Sequence, residues 1–352
     1  MNSSNPLIFD GHNDVLSKIF SEGGVIKAAS FYNGRKGALD LQKAQVGGFG
    51  GGFFAAYVPS QFDLEFSYQE MEKAQYSLPL PDPIEWSEAV GVVASQVIIL
   101  RELERMGGLV ICRSVSDIRN AFSDGKIAAI FHIEGAEAID PDLHMLEVLH
   151  SAGLRSIGPV WSRPTIFGEG VPFSFPCSPD IGSGLTEQGI ALVKRCNELK
   201  IMLDLSHLNE AGFWDVAHYS EAPLVATHSN VHSITPHSRN LTNDQLQAIK
   251  HSDAMVCLNF ATAFLREDGK MLADVPMAQI LKHLDYLIEV LGEDRVGLGS
   301  DYDGAVMPDQ LHDVSALPNL RHAMTDHGYD EILIKKICHE NWLRVLEKTW
   351  GS

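Results

Sequence analysis

Six side chains suited to holding a divalent cation or moving a proton stand at the ends of short apolar runs. His12 and Asp14 follow LIFDG, Glu134 ends AAIFHIE, His207 ends IMLDLSH, His228 ends PLVATH, and Asp301 follows VGLGS. Neutral imidazoles and carboxylates are suitable ligands for Zn²⁺, and none of these positions needs a thiolate. A carboxylate has two oxygens, so Glu134 can bridge two cations. The expected partition is His12, Asp14 and Glu134 on one ion, with Glu134, His207 and His228 on the other. Two-metal sites, with roughly 3.5–4 Å between ions, hold a hydroxide between them and polarise a carbonyl. Taken singly, each residue is ordinary. An H-x-D triplet arises by chance, a histidine at a strand end is commonly structural, and Glu134 suits the start of a helix. Their joint placement carries the signal, because random scatter would put some in mid-helix or at strand starts. Among the other histidines, His132 falls inside a strand and reads as core or as support behind the ligands. His144, His150, His218 and His251 read as helix-surface residues, and His232 and His237 fall unassigned in the loop after the sixth strand.

The elements that must bring these residues together are legible as alternation. Apolar, β-branched runs at Leu7–Gly11, Phe49–Val58, Ile127–Ile133, Leu154–Val160, Ile201–Ser206, Leu224–Thr227, Ala254–Phe260 and Val296–Gly299 predict strands. Helical patterns fall between them, at Ser87–Met106, Leu143–Ala152, Thr186–Leu199, Asn209–Tyr219, Thr242–Lys250, Met277–Leu291 and Glu331–Lys348. Several begin with a residue able to cap free amides. Near-continuous hydrophobic strands alternating with helices imply a parallel sheet under helices. Eight of them fit an α/β fold of the closed (β/α)8 TIM barrel type, which presents all strand carboxyl ends on one face. A doubly wound open sheet is the alternative, but no strand leads into the glycine-rich phosphate turn of a dinucleotide fold. The glycines of Gly47–Gly52 open a strand instead, and predict a bulged β2 where backbones approach closely. No repeat, low-complexity run or linker divides the chain, so residues 1–352 are expected to form a single barrel domain.

Composition limits the partners. The chain has 352 residues, with 46 acidic against 27 basic side chains and a formal charge of −19. That surface would repel phosphate backbones and anionic lipid, so neither nucleic acid nor membrane is an expected partner. No stretch approaches the roughly 20 apolar residues of a membrane span, and the polar start from Met1 to Pro6 carries no signal-peptide pattern. Five dispersed cysteines without a CxxC pair read as reduced thiols in a cytoplasmic protein. Oligomeric state is not legible, and a homodimer is left open.

Taken together, DGHND, IEGAEA, LDLSH, a THS strand end followed by SRN, and GLGSDYDG resemble the membrane (renal) dipeptidase family of binuclear zinc peptidases, peptidase family M19. Order and spacing match from about Asp10 to the ending NWLRVLE. The resemblance implies a barrel related to the metal-dependent amidohydrolases and two Zn²⁺ per chain bridged by Glu134. It also implies hydrolysis of dipeptides, L-Xaa-D-Xaa substrates included, by attack of a metal-bridging hydroxide. Carried over by position, the metal ligands are His12, Asp14, Glu134, His207 and His228. The arginine that receives the substrate carboxylate is Arg239, a role its guanidinium fork suits. Asp301 takes the general acid–base role. Asp303 reads as a structural loop carboxylate. The chain departs from the family at IGPVWSRPTIFGEG, where Trp161 stands in place of a substrate-binding histidine. Trp161 can donate one hydrogen bond but cannot be protonated. Either the second zinc alone stabilises the oxyanion, or Arg163 or another group does so, or activity is reduced. With no leader or anchor pattern visible, the chain is expected to resemble the soluble, bacterial-type branch. Two alternatives remain beside the dipeptidase reading. One is an amidohydrolase acting on another small amide, lactam or ester; the other is a metal-loaded barrel that binds an amide without turning it over.

Overall fold

A computed structural model describes residues 5–60 and 64–351. Eight parallel strands form the barrel: β1 Ile8–Asn13, β2 Phe49–Tyr57, β3 Ile127–Glu134, β4 Leu154–Gly158, β5 Met202–Leu203, β6 Val225–Ala226, β7 Met255–Asn259 and β8 Val296–Gly299. Hydrogen-bonded neighbours run in the order β5, β4, β3, β2, β1, β8, β7, β6. The ring closes through a parallel bridge between Asp204 and Val225, with Leu205 N–H donating to the Val225 carbonyl at 3.0 Å. Every residue of β1, β3, β7 and β8 is buried, as expected for strands covered on both faces. A further short strand, Leu109–Ile111, pairs beside the first residues of β3 below the point where β4 joins.

The expected strands are all present, but β5 and β6 shrink to two residues each. Their flanking backbone turns away to carry polar groups, and the missing ladder bonds are replaced by side chains described below. The glycine-rich start of β2 behaves as anticipated. A Cβ on Gly52 would stand 2.4 Å from the Asp10 carbonyl oxygen, and the β1–β2 register shifts beside it. Helices Glu187–Leu199, Glu210–Tyr219 and Asn243–His251 start where capping residues foretold, with Thr186, Asn209 and Thr242 accepting backbone amides. The expected helix Glu331–Lys348 is interrupted by a π turn over Lys336–Glu340. Helices Val15–Ser21, Leu41–Gly47, Val115–Ser123 and Leu317–His327 lie outside the expected set. No helix among the described residues is long and apolar enough to cross a membrane.

Over the carboxyl end of the barrel, a ribbon pairs Tyr76–Ser77 with Ser174–Phe175. It carries a second apolar cluster, Met71, Tyr76, Leu78, Phe175, Phe264 and Met271, apart from the main core. This cluster forms part of the wall around the site.

Candidate active site

The barrel gathers all six side chains at one end. His12 Nε2 lies 3.3 Å from Asp14 Oδ2 and 3.6 Å from Glu134 Oε1. His207 Nε2 and His228 Nε2 lie 3.0 and 3.3 Å from the same Glu134 oxygen, and 3.1 Å from each other. Glu134 Oε1 therefore stands among the His12, His207 and His228 rings, with Asp14 beside His12. His12, Asp14 and Asp301 also present donor atoms within 4.8 Å of one another. Asp301 occupies a left-handed turn with φ 65°, a conformation few non-glycine residues adopt, and its amide donates to the His12 carbonyl. A Cβ on Gly304 would stand 2.2 Å from Asp14 Oδ2 and 2.5 Å from Asp301 Oδ1, so only glycine leaves both carboxylates room.

The donors fit a cation centre on physical grounds. All are nitrogen or oxygen, and all but Asp301, which is partly buried, are buried. Neither ring nitrogen of His12 has a hydrogen-bond partner among the described residues. Burial, reinforced by the charges of Arg239 and His12, holds His207 and His228 well below the ordinary imidazole range, which keeps them in the neutral form that binds metal. Burial alone would depress His12, yet the negative charges of Glu134 and Asp14 outweigh it and raise its pKa. Burial pushes Glu134 well above the carboxylate range and raises Asp301. A cation bound among these groups would offset the cost of burying them and return the carboxyls to their anionic form.

Several residues that orient this cluster escaped the sequence reading. Ser162 Oγ lies 2.9 Å from His207 Nδ1, and Thr227 Oγ1 lies 2.8 Å from His228 Nδ1, so both rings turn Nε2 toward Glu134. Asp204 accepts from Thr227 Oγ1 at 2.6 Å, Thr227 N at 2.9 Å, Ser206 Oγ at 2.6 Å and Ser206 N at 3.1 Å. These bonds replace the ladder that the short β5 and β6 lack. Asn259 Nδ2 donates to Asp301 Oδ2 at 2.9 Å. Asp10 binds Ser300 through both carboxylate oxygens, and burial pushes its pKa up to about 7 against those bonds. Adjacency to the ligands in LDLSH and THS is the signal that could have found Asp204 and Thr227. His132 lies behind His12, with Nδ1 on Ser156 Oγ, as support rather than surface.

A cavity of about 230 Å³ opens over the cluster. Asp14, Glu134, His207 and Asp301 reach it from below, and Tyr57, Trp161, Phe173, Phe264 and Met271 wall it. Trp161 sits at this wall, its ring 5.8 Å from that of His207. Arg163 is corrected as an oxyanion candidate. Its side chain is fully buried and donates to Glu137 Oε1 through Nε at 2.8 Å and Nη2 at 2.6 Å. Two further donors go to the Val58 carbonyl and Ser60 Oγ. Arg239 is buried and is not among the residues lining the cavity; it stacks on Phe264, which is, and donates to the Ser206 and His228 carbonyls, with Nη2 3.2 Å from His207 Nε2. Asp303 binds Arg35 and the Ala38 amide, as a loop carboxylate should.

The family model for membrane dipeptidase, peptidase family M19, matches residues 3–350. A metallopeptidase from Rhodobacter sphaeroides, crystallised with a phosphinate mimic of the dipeptide L-Ala-D-Ala, is 52% identical with a TM-score of 0.96, covering 98% of this chain and 99% of that one. Dipeptidase AC, a metallopeptidase of family M19, is likewise 52% identical with a TM-score of 0.96, covering 99% of each chain. An amidohydrolase from Pseudomonas aeruginosa, 19% identical over 99% of this chain and 98% of its own with a TM-score of 0.76, shares the fold.

Proposed function

The chain belongs to the membrane dipeptidase family, peptidase family M19, and from that premise we propose a binuclear zinc dipeptidase that accepts L-Xaa-D-Xaa as well as L,L substrates. As a member it is a metallo-dipeptidase, a hydrolase of the peptide bond in dipeptides. The observation that carries the two-ion reading is Glu134, whose Oε1 stands within 3.6 Å of three imidazole nitrogens contributed by three other strand ends. His12, Asp14 and Glu134 would hold one Zn²⁺, and Glu134, His207 and His228 the other. When bound, the pair supplies positive charge that polarises the scissile carbonyl and makes water nucleophilic at neutral pH.

The remaining steps belong to the protein. Asp301, fixed by Asn259, takes the proton of the attacking water on a carboxylate oxygen and delivers it to the leaving amine nitrogen. Ser162 and Thr227 hold two ligand rings in place. Trp161, Phe173 and Phe264 exclude water from the cavity and contact the substrate's side chains. Arg239 receives the substrate carboxylate. A His207 Nε2 committed to a cation has no lone pair left for Arg239, which would free one Nη2 hydrogen for that task while the other stays on the His228 carbonyl. The likeness to the Rhodobacter enzyme, whose ligand imitates L-Ala-D-Ala, supports a C-terminal D-residue. Free cysteines, four of the five buried, are consistent with a cytoplasmic setting.

The test is a kinetic screen of L,L- and L,D-dipeptides with the metal-depleted and zinc-reconstituted protein. Zinc-dependent cleavage of both series is expected. Cleavage of small amides or lactams with no turnover of any dipeptide would overturn the reading.

A further inference from the structure

Trp161 leaves the cavity without a histidine above the scissile carbonyl, and Arg163 is tied up elsewhere, so a neutral donor facing that oxygen has to come from another element. Tyr57, the last residue of β2, is placed for it. It pairs in register with Glu134 across the β2–β3 ladder and lines the same cavity as Glu134, His207 and Asp301. Its backbone is pinned from behind, because buried Gln96 accepts from the Tyr57 amide at 3.0 Å and donates to the Tyr57 carbonyl at 2.6 Å. Its ring packs against the Trp161 ring, at 5.1 Å, and the Arg163 guanidinium, at 5.7 Å, which also lies 5.5 Å from the Trp161 ring.

The direction of the hydrogen bonds is what gives the phenol its role. Arg163 can only donate, and its Nη1 gives a proton to Ser60 Oγ at 2.6 Å. Ser60 lines the same cavity as Tyr57, and its hydroxyl acts to lower the pKa of the phenol, as a donor to the phenol oxygen would. Ser60 accepts from Arg163 on one lone pair and keeps its own hydroxyl proton to give to the Tyr57 oxygen. With Ser60 as that donor, the chain runs Glu137, Arg163, Ser60, Tyr57, each member donating toward the phenol from Arg163 onward. A phenol that accepts on its oxygen has one proton to place, and the open side is the cavity. Placed against a carbonyl oxygen, such a donor strengthens as negative charge develops there, and it contributes without moving.

Resting on the dipeptidase reading, we propose that Tyr57 is a further catalytic residue, whose hydroxyl donates to the scissile carbonyl oxygen as it becomes an oxyanion, oriented by the positioning residues Ser60 and Arg163. No bond to Tyr57 forms or breaks, and its proton stays on the phenol throughout.

The test compares wild type, Tyr57→Phe and Ser60→Ala as zinc-loaded proteins of matched metal content. Three quantities are measured: kcat and KM on a dipeptide, affinity for a phosphinate dipeptide, and affinity for a reduced-amide dipeptide. The phosphinate carries tetrahedral oxygens, and the reduced amide has CH2–NH in place of the carbonyl. Tyr57→Phe keeps the ring and is expected to lower kcat about 100-fold, within the range for loss of an oxyanion donor, with KM nearly unchanged. Phosphinate affinity should fall with kcat/KM, and reduced-amide affinity should hold. Ser60→Ala should show the same pattern, more weakly. Unchanged kcat, or equal loss of both inhibitors, would overturn the proposal and leave Tyr57 as wall. Wild type that turns over no dipeptide would instead sink the dipeptidase reading, while the inhibitor comparison still reports on Tyr57.

Discussion

Asp204→Asn probes how the protein prepares His228 to bind metal. The carboxylate accepts four hydrogen bonds, three on Oδ1 and one on Oδ2 from Thr227 Oγ1 at 2.6 Å. Because Thr227 donates to Asp204, its oxygen accepts from the Nδ1–H of His228, which leaves the Nε2 lone pair facing Glu134. An asparagine keeps the three Oδ1 bonds only if its carbonyl takes that place, which puts an NH2 group where Oδ2 was. Thr227 then accepts from the amide and turns its own proton toward His228 Nδ1. The proton of His228 must move to Nε2, the nitrogen needed as a ligand. Substitutions behind metal-bound histidines typically cost 10–100-fold in affinity, about 1.4–2.8 kcal/mol. The lower end corresponds to Thr227 sending its proton instead to Ser206 Oγ, 3.3 Å away. The assay is competition with a chromogenic chelator on the purified variant, alongside thermal unfolding without metal. Zinc affinity unchanged within twofold would refute the relay. A drop in capacity from two ions to one would make Asp204 a ligand itself.

Asp301→Asn should retain its metal while kcat falls roughly 10²–10⁴-fold, the range for a lost general acid–base group; metal loss would make Asp301 a ligand, and unchanged kcat would remove it from the mechanism. C-terminally amidated dipeptides should be cleaved at least about tenfold less efficiently than free ones, since a charge-assisted hydrogen bond in a desolvated site contributes roughly 1.5–3 kcal/mol. Arg239→Ala should erase most of that discrimination and Arg239→Lys restore only part; equal kcat/KM for both substrates on wild type would reject the carboxylate role. Glu137→Leu strands the fully buried Arg163 guanidinium and should lower unfolding free energy in urea by about 3–5 kcal/mol, whereas a loss below about 1 kcal/mol would show the pair to be solvated.

The barrel was readable because its strands are buried on both faces and announce themselves as unbroken apolar runs. β5 and β6 were readable in place but not in extent, since LDLSH and PLVATHS look like strand while their polar members take the backbone out of the ladder. The ligands were readable because six histidines and carboxylates gathered at five strand ends are improbable by chance. Their supports were not. Ser162, Thr227 and Asn259 are common residues whose role depends on which ring or carboxylate the fold sets beside them, 42 or 45 residues apart or immediately adjacent. Arg163 shows the opposite failure. An arginine beside Trp161 invites a role at the oxyanion, but sequence cannot reveal that Glu137 lies on the other side. Helices such as Val15–Ser21 and Leu41–Gly47 were passed over because at 7 residues each they carry too few turns for a periodic pattern.

The measurement that bears most directly on a two-ion centre bridged by Glu134 is metal content per chain in wild type, His12→Ala and Glu134→Ala after loading and desalting, with dipeptide turnover on the same samples. Two zinc ions are expected in wild type, about one in His12→Ala, and a joint loss from both sites in Glu134→Ala, with turnover following the doubly loaded fraction. One ion in fully active wild type, or a Glu134→Ala protein that still holds two, would contradict the account.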